Sequence, residues 1–257
     1  MADGNLKRYE LFGWDYPLVN ALSDQEVGWY RGYAERTGGP VLGLACGTGR
    51  LLCRLAEAGF EAVGLDITER MLDLARGFAA ELDEAARKRM TLIRGDMAEF
   101  DLGRQFGLIT VADNSFRELA TREQHLACLR CVRRHLRDDG IFLMTERRFQ
   151  AHLYPGGRRE FGWSEPTVDP RSGCLVSRRG ELRLVKDGTW ISGAFHYRIT
   201  ASDGSERIER CPIESPILLV EDYHRLFSEA GLSAELHVGY EHRSDDGQDP
   251  ILCFVAR

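Results

Sequence analysis

The sequence predicts an α/β fold built on a doubly wound, mostly parallel β-sheet. Over the first 145 residues, short uninterrupted apolar runs alternate with segments of helical periodicity, and such runs are typical of strands buried on both faces. The first run, residues 41–45, leads into the glycine turn Gly47-Thr48-Gly49 and then into a helical segment. A repeated strand, turn and helix predicts parallel strands joined by crossover helices.

Four more strands are predicted in the same β-α repeat. The first of them ends in an acid, Asp66, and the next is followed by Gly95-Asp96-Met97. Before the last of them, Thr121 and Gln124 form a capping box that predicts a helix start, and we expect that helix to end at residues 138–140. The four strands are residues 60–66, 90–93, 106–111 and 141–145.

The pattern changes between residues 147 and 216, where no long amphipathic helix is predicted. Alternating residues flank a hairpin turn at Asp187-Gly188, and a further strand is predicted through Ile208. The apolar side chains expected on one face of the second hairpin strand are Ile191, Phe195, Tyr197 and Ile199. A helix at 221–230 and two strands follow. The sequence therefore predicts an antiparallel β insert between strand five and the last helix.

The residues that precede the sheet are dense in aromatic side chains. Ser23, followed by Glu26, forms a capping box that predicts a helix over residues 24–36. This region can simply pack on the edge of the sheet. Alternatively, the aromatic segment folds over a ligand as a lid, with Tyr9 and Tyr16 facing the active site.

The glycine turn and the acid after strand two indicate the ligand. An acid at this place can accept both hydroxyls of a ribose. A dinucleotide site requires a third glycine, G-x-G-x-x-G, but Gly49 is followed by Arg50, Leu51 and Leu52. A single ribose without a pyrophosphate cradle suggests S-adenosylmethionine.

These segments resemble the class I S-adenosylmethionine-dependent methyltransferases from about Tyr9 to Arg257. The glycine turn, the Gly-Leu-Asp that ends at Asp66 and the Gly-Asp-Met at 95–97 follow the order and spacing of that family. The resemblance implies a Rossmann-like seven-stranded sheet whose last strand is antiparallel. One position departs from the family: Gly43 stands where an acid often orders the methionine end of the cofactor.

The resemblance also implies a division of the chain into four parts. Residues 1–40 are expected to form an N-terminal helical lid, and residues 41–146 the cofactor-binding Rossmann-like core. Residues 147–216 form the antiparallel insert, which can serve as a substrate cover or an oligomer contact. Residues 217–257 complete the core with a helix and a β-hairpin.

Contacts with S-adenosylmethionine are expected along the carboxyl ends of the strands. Asp66 would hold the ribose, Asp96 would accept the exocyclic amine of the adenine, and the Met97 N–H would meet a ring nitrogen. The full set of cofactor-binding residues that we predict is Tyr16, Ala45, Gly47, Gly49, Asp66, Ile67, Asp96, Met97 and Ala112.

The end of strand four indicates the methyl acceptor. Amide and adenine-amine methyltransferases carry an Asp/Asn-Pro-Pro-aromatic run here, whereas this chain has Asp113-Asn114-Ser115-Phe116. That run resembles small-molecule N-methyltransferases, including those that act on antibiotic sugars. Phe116 is either a cation–π wall for the amine or sulfonium, or a core residue at a helix start. The predicted substrate-binding residues are Tyr9, Phe116, Arg117 and Glu118, and the predicted catalytic residues are Tyr9, Tyr16 and Phe116.

The leading hypothesis is methyl transfer from S-adenosylmethionine to an amine of a small molecule, such as an antibiotic precursor, mainly by proximity and orientation. Methylation of a hydroxyl or carboxylate is a second hypothesis, and it would use a base such as His152 or His196. A third is a cofactor-binding protein without catalytic activity, whose insert mediates assembly.

Composition narrows the possible partners, compartment and metal sites of the protein. With 34 Lys and Arg against 40 Asp and Glu, the net charge of −6 argues against a nucleic-acid scaffold. No stretch is apolar enough to span a membrane, and the seven scattered cysteines favour small buried side chains in a reducing cytoplasm over a metal site. We also expect a homo-oligomer, because the insert offers an antiparallel edge.

Overall fold

The computed structural model describes residues 3–15 and 22–257, so Tyr16 lies outside the described residues. Its larger sheet has seven strands in the order β11-β12-β5-β4-β1-β2-β3. Strands β1 to β5 run parallel to one another, and β12 is antiparallel to both β5 and β11. This topology confirms the predicted class I sheet. The strands are β1 Val41–Leu44, β2 Ala62–Asp66, β3 Met90–Arg94, β4 Phe106–Val111, β5 Leu136–Arg147, β11 Ala234–Val238 and β12 Ile251–Ala256.

Helices cover both faces of this sheet. Alternate residues of each strand point to opposite faces, so Leu42 and Phe142 join one hydrophobic cluster whereas Val41 and Leu143 join another. The helices are α1 Asp3–Phe12, α2 Asp24–Thr37, α3 Arg50–Glu57, α4 Glu69–Ala80, α5 Glu84–Lys88, α6 Arg122–His135 and α7 Val220–Glu229. None of the helices in the described ranges is long and apolar enough to cross a membrane.

The insert is a second, antiparallel sheet with the order β10-β9-β8-β6, and β7 pairs with β8. Tyr197 is fully buried on the face that packs against α1, where its ring stacks on Phe12 with centroids 3.7 Å apart. The predicted insert is therefore confirmed, and it supports the N-terminal helix. Its strands are β6 Arg158–Phe161, β7 Thr167–Val168, β8 Leu175–Val185, β9 Trp190–Thr200 and β10 Glu206–Pro216.

Several element ends and one helix cap differ from the sequence predictions. Strand β10 continues past Ile208 because it pairs with β9 over its whole length. Helix α6 ends at His135 rather than at 138–140, because Leu136 already pairs with Phe106 of β4. At the start of α2, the Ser23 hydroxyl accepts the Glu26 N–H at 3.1 Å, but the reciprocal half of the predicted capping box is not formed.

Candidate active site

The glycine turn after β1 depends on left-handed backbone. Ala45, Gly47 and Gly49 all have positive φ, at 47°, 55° and 70°. A Cβ at Gly49 would lie 3.0 Å from the Cβ of Ala75 on α4. Gly49 therefore lets α4 pack closely against the start of α3, and its predicted contact with the cofactor stays a prediction.

Asp66 ties the end of β2 to this turn. One carboxylate oxygen accepts the Gly47 N–H at 2.8 Å, and the other accepts the Thr68 N–H at 2.9 Å. Asp66 is only 6% exposed, and burial raises the pKa of its carboxyl. Since a carboxylate oxygen has two lone pairs, each can still accept a further hydroxyl. The predicted ribose contact stays a prediction that this geometry permits.

A cleft of about 710 Å³, measured to its open mouth, lies at the carboxyl ends of β1, β2 and β4. It brings together six of the residues predicted from sequence, and it also contains acids and an arginine that were not predicted. The predicted residues in its lining are Tyr9, Ala45, Gly47, Asp66, Ala112 and Glu118. The predicted residues outside its lining, within the described ranges, are Gly49, Ile67, Asp96, Met97, Phe116 and Arg117.

Asp96 and Met97 follow β3 and lie beside the cleft rather than in its lining. The Asp96 carboxylate accepts the Ala98 N–H at 2.8 Å, and Met97 is 5% exposed within the hydrophobic core. Ile67 places its carbonyl 3.3 Å from the Arg94 guanidinium. Their contacts with the adenine side of a cofactor stay predictions.

Phe116 is a core residue, so the cation–π wall predicted for it is wrong. Its side chain is 1% exposed, and its ring lies 4.7 Å from that of His125 and 6.3 Å from that of Tyr223. The short helical turn at 115–118 directs Phe116 inward while Ser115 and Glu118 line the cleft. The alternative prediction, a phenylalanine at a helix start that packs in the core, describes what the structure contains.

Arg117 also turns away from the cleft, which corrects its assignment as a substrate contact. Its Nε donates to Glu146 at 2.8 Å, and its guanidinium also donates to the Asn114 side chain at 2.8 Å. Glu146 is fully buried, and burial raises the pKa of its carboxyl to about 7 although Arg117 opposes that rise. The pair holds Asn114, whose φ is 67°, beneath the cleft.

Glu118 connects the core to the N-terminal helix. It accepts hydrogen bonds from the Tyr9 hydroxyl at 2.9 Å and from the Asn5 amide at 2.7 Å. Asn5 is 3% exposed and also bonds both backbone groups of Glu214 on β10, at 2.9 and 3.0 Å. One asparagine thus joins α1, the insert and the cleft, and the sequence carried no signal for it.

Glu26 and Arg50 are cleft residues that the sequence analysis did not assign. Arg50 directly follows the second glycine of the turn, where its sequence context argues against a dinucleotide motif but indicates no ligand contact. Glu26 was assigned to a capping box. Its carboxylate instead interacts with the Tyr240 hydroxyl.

Neither histidine proposed as a base lies in the cleft lining. His152 is exposed on a short turn after β5. His196 lies on the insert, where its Nε2 is 3.0 Å from Glu181. No histidine is found among the cleft-lining residues in the described part of the chain, so the expected base for hydroxyl methylation is not supplied by these two side chains.

The residues of the cleft fit S-adenosylmethionine. A cationic sulfonium ligand suits a lining with four acids, Glu26, Asp66, Asp113 and Glu118, against one arginine, Arg50. The left-handed turn brings backbone close to the ligand side, and Asp66 has acceptor capacity toward a ribose.

Comparison with known proteins agrees with this geometry. A family model described as a methyltransferase domain matches residues 41–140. The chain is 30% identical over 203 residues to a dTDP-3-amino-3,6-dideoxy-α-D-glucopyranose N,N-dimethyltransferase of Streptomyces fradiae, an alignment that covers 77% of this chain and 72% of the relative. It is also 30% identical over 198 residues to a cypemycin N-terminal methyltransferase of a Streptomyces species, with 72% and 76% covered.

A solved structure shares the complete fold. An S-adenosylmethionine-dependent methyltransferase from Clostridium acetobutylicum ATCC 824 superposes with a TM-score of 0.75 over 95% of both chains, at 15% identity. The fold is common to both, and the family follows from the sequence relatives. The chain belongs to the S-adenosylmethionine-dependent methyltransferases.

Proposed function

We propose that this methyltransferase transfers a methyl group to an amine nitrogen of a small molecule, of the specialised-metabolite class that includes antibiotic amino sugars. The observation that carries the proposal is the Tyr9–Glu118 pair in the cleft, at 2.9 Å. It places hydrogen-bond acceptors beside the carboxyl end of β4, on the side of the cleft where α1 lies.

The residues act by orientation. When bound, S-adenosylmethionine supplies an electrophilic methyl carbon. Burial, and then the negative charge of Glu118, raises the pKa of Tyr9 well above its usual range, so Tyr9 stays protonated and is not a base. Because its proton points to Glu118, the phenol oxygen is an acceptor for an amine N–H. That contact would turn the nitrogen lone pair toward the donor, and alignment of this kind lowers the barrier without a dedicated base.

Two relatives support an amine acceptor. The name of one relative specifies a dTDP-linked 3-amino deoxysugar as its substrate, and the name of the other specifies the N-terminus of cypemycin. Both names specify methylation of nitrogen or of an N-terminus, which favours the amine as the common requirement. For this chain we propose the sugar class, since a second matched relative, from Streptomyces venezuelae, is also named as an N,N-dimethyltransferase of an amino deoxysugar.

The test is a pair of matched substrates. The purified protein is incubated with S-adenosylmethionine and dTDP-3-amino-3,6-dideoxy-α-D-glucopyranose, or with the same sugar carrying a 3-hydroxyl, and the products are analysed by mass spectrometry. We expect one or two methyl groups on the amino sugar only. Methylation of the hydroxyl sugar would favour the O-methyltransferase hypothesis. Cofactor binding without turnover across a panel of amines and alcohols would favour a protein without catalytic activity.

Two variants test the orienting role. We expect Glu118→Gln to lower kcat/KM by about 10- to 100-fold, as the loss of a hydrogen bond to a charged group would, with S-adenosylhomocysteine affinity unchanged. Glu209→Gln, at a surface ion pair with Lys7, is the matched control and should leave kcat/KM unaltered. Tyr9→Phe should cost about 10-fold. A loss above about 10³-fold would indicate proton transfer by Tyr9 instead of orientation.

Three wider assignments also remain proposals. We propose that the N-terminal region acts as a lid, that the protein works in the cytoplasm, and that it forms a homo-oligomer through an edge of the insert. The seven cysteines form no disulfide, which suits a reducing compartment. Ile208 on the edge strand β10 is 57% exposed, and light scattering of wild type against Ile208→Glu would test its part in assembly.

A further inference from the structure

Glu26 lies on the β4 side of the glycine turn, opposite the side that Asp66 occupies, and Arg50 lies near it at the start of α3. The strand order is β3-β2-β1-β4, so Asp66 at the end of β2 lies toward β3. Glu26 interacts electrostatically with Asp113, which follows β4, and with Arg50, the first residue of α3. A ligand whose ribose lies at Asp66 and whose base extends toward β3 therefore directs its other end toward Glu26 and Arg50.

Local structure holds the Glu26 carboxylate in the cleft. The Ser23 hydroxyl accepts the Glu26 N–H at 3.1 Å, which anchors the first turn of α2. The side chain is not used for the reciprocal cap, and its carboxylate interacts with the Tyr240 hydroxyl instead. Glu26 is 8% exposed and lines the cleft. Burial raises the pKa of its carboxyl, so a cationic ligand group beside it would relieve that cost.

Strand β1 supplies no acid at this end of the cleft, where Gly43 stands. A Cβ at Gly43 would lie 3.1 Å from Cδ2 and 3.2 Å from Cδ1 of Leu52, in a strand whose four residues are all buried. A larger side chain there would require the Leu52 side chain to shift by a few tenths of an ångström. The carboxylate on this side of the turn comes from α2, which stands before the sheet in the sequence.

We propose that Glu26 and Arg50 bind the amino-acid end of S-adenosylmethionine, with Glu26 on the α-ammonium and Arg50 on the α-carboxylate. The inference rests on the cofactor assignment but not on the proposed acceptor. The opposite charges of the two residues match the two charges of the amino-acid group. A guanidinium such as that of Arg50 can bind a carboxylate through two parallel N–H···O bonds. Asp66 would hold the nucleoside, so the two ends of the cofactor have separate anchors.

The test compares ligands that differ at this end. Calorimetry measures S-adenosylhomocysteine, its analogue without the α-amino group, and 5′-methylthioadenosine, which has neither charge. We expect Glu26→Gln to weaken S-adenosylhomocysteine binding by about 10- to 100-fold and to leave methylthioadenosine binding unchanged. In this variant, loss of the α-amino group should cost no further affinity. Glu35→Gln, on an exposed face of α2, is the matched control and should behave as wild type.

Two results would overturn the assignment. One is an equal loss for all three ligands in Glu26→Gln, which would mean that the residue only supports the fold of the cleft. The other is unchanged S-adenosylhomocysteine affinity. If wild type bound neither nucleoside, both this inference and the cofactor assignment would fail, whereas failure to methylate amines would affect the proposed function alone.

Discussion

Replacement of Asp66 by asparagine tests the two contacts that join β2 to the glycine turn. The carboxylate accepts one backbone N–H from Gly47 at 2.8 Å and one from Thr68 at 2.9 Å. Asparagine has a single acceptor oxygen, so whichever way its amide turns, an NH2 group faces one of these donors. A buried donor without a partner costs about 1–3 kcal/mol. We expect the ligand-free variant to lose about that much free energy of unfolding.

Urea denaturation of the ligand-free protein measures this loss, and in a chain of this size about 2 kcal/mol lowers Tm by roughly 4–8 °C. Asp73→Asn is the matched control, because Asp73 lies on the exposed side of α4 in a surface pair with Arg76, and we expect a change below about 0.5 kcal/mol. Calorimetry with S-adenosylhomocysteine should show a further loss of affinity in Asp66→Asn. Stability equal to that of the control would refute the structural role of the carboxylate.

Two further predictions concern stability. Burial lowers the pKa of His125 to about 4 from its usual 6.5, so between these pH values native His125 stays neutral while the unfolded chain binds a proton. The free energy of unfolding should therefore fall by up to roughly 3 kcal/mol as pH drops from 6.5 to 4. In urea titrations His125→Leu should flatten this pH dependence, and an unaltered slope would contradict the prediction. Gly49→Ala should cost about 1–3 kcal/mol, because φ is 70° and its Cβ would lie 3.0 Å from that of Ala75. Gly38→Ala is the matched control, because φ is 72° there and no atom lies within 4 Å of the new Cβ, so it should cost only the free energy of the left-handed backbone. Equal losses of stability in the two variants would show that the contact with Ala75 costs nothing.

The sheet and its connections were predictable because the pattern of apolar residues within each strand and helix shows which of its faces is buried. Continuous apolar runs identified β1 and β4 as central strands, and period-two alternation identified the insert. The glycine turn and Asp66 were found for the same reason, since a positive φ and a strand-end acid are both encoded within a few residues. Element ends were less exact: α6 stops at His135 because pairing of Leu136 with Phe106 competes with the helix.

Tertiary structure alone decided which polar groups meet in the cleft. Phe116 and Arg117 stand between cleft residues in the sequence, yet one packs against His125 and the other pairs with Glu146. Glu118 meets Tyr9 across 109 positions of the chain. The sequence by itself determined the family fold, the glycine turn and Asp66, which anchors that turn. It did so because the local periodicity of apolar residues indicates which side chains are buried. Periodicity does not indicate which distant residue a side chain contacts. The partners of Glu26, Glu118 and Arg117 are therefore known only from the tertiary structure.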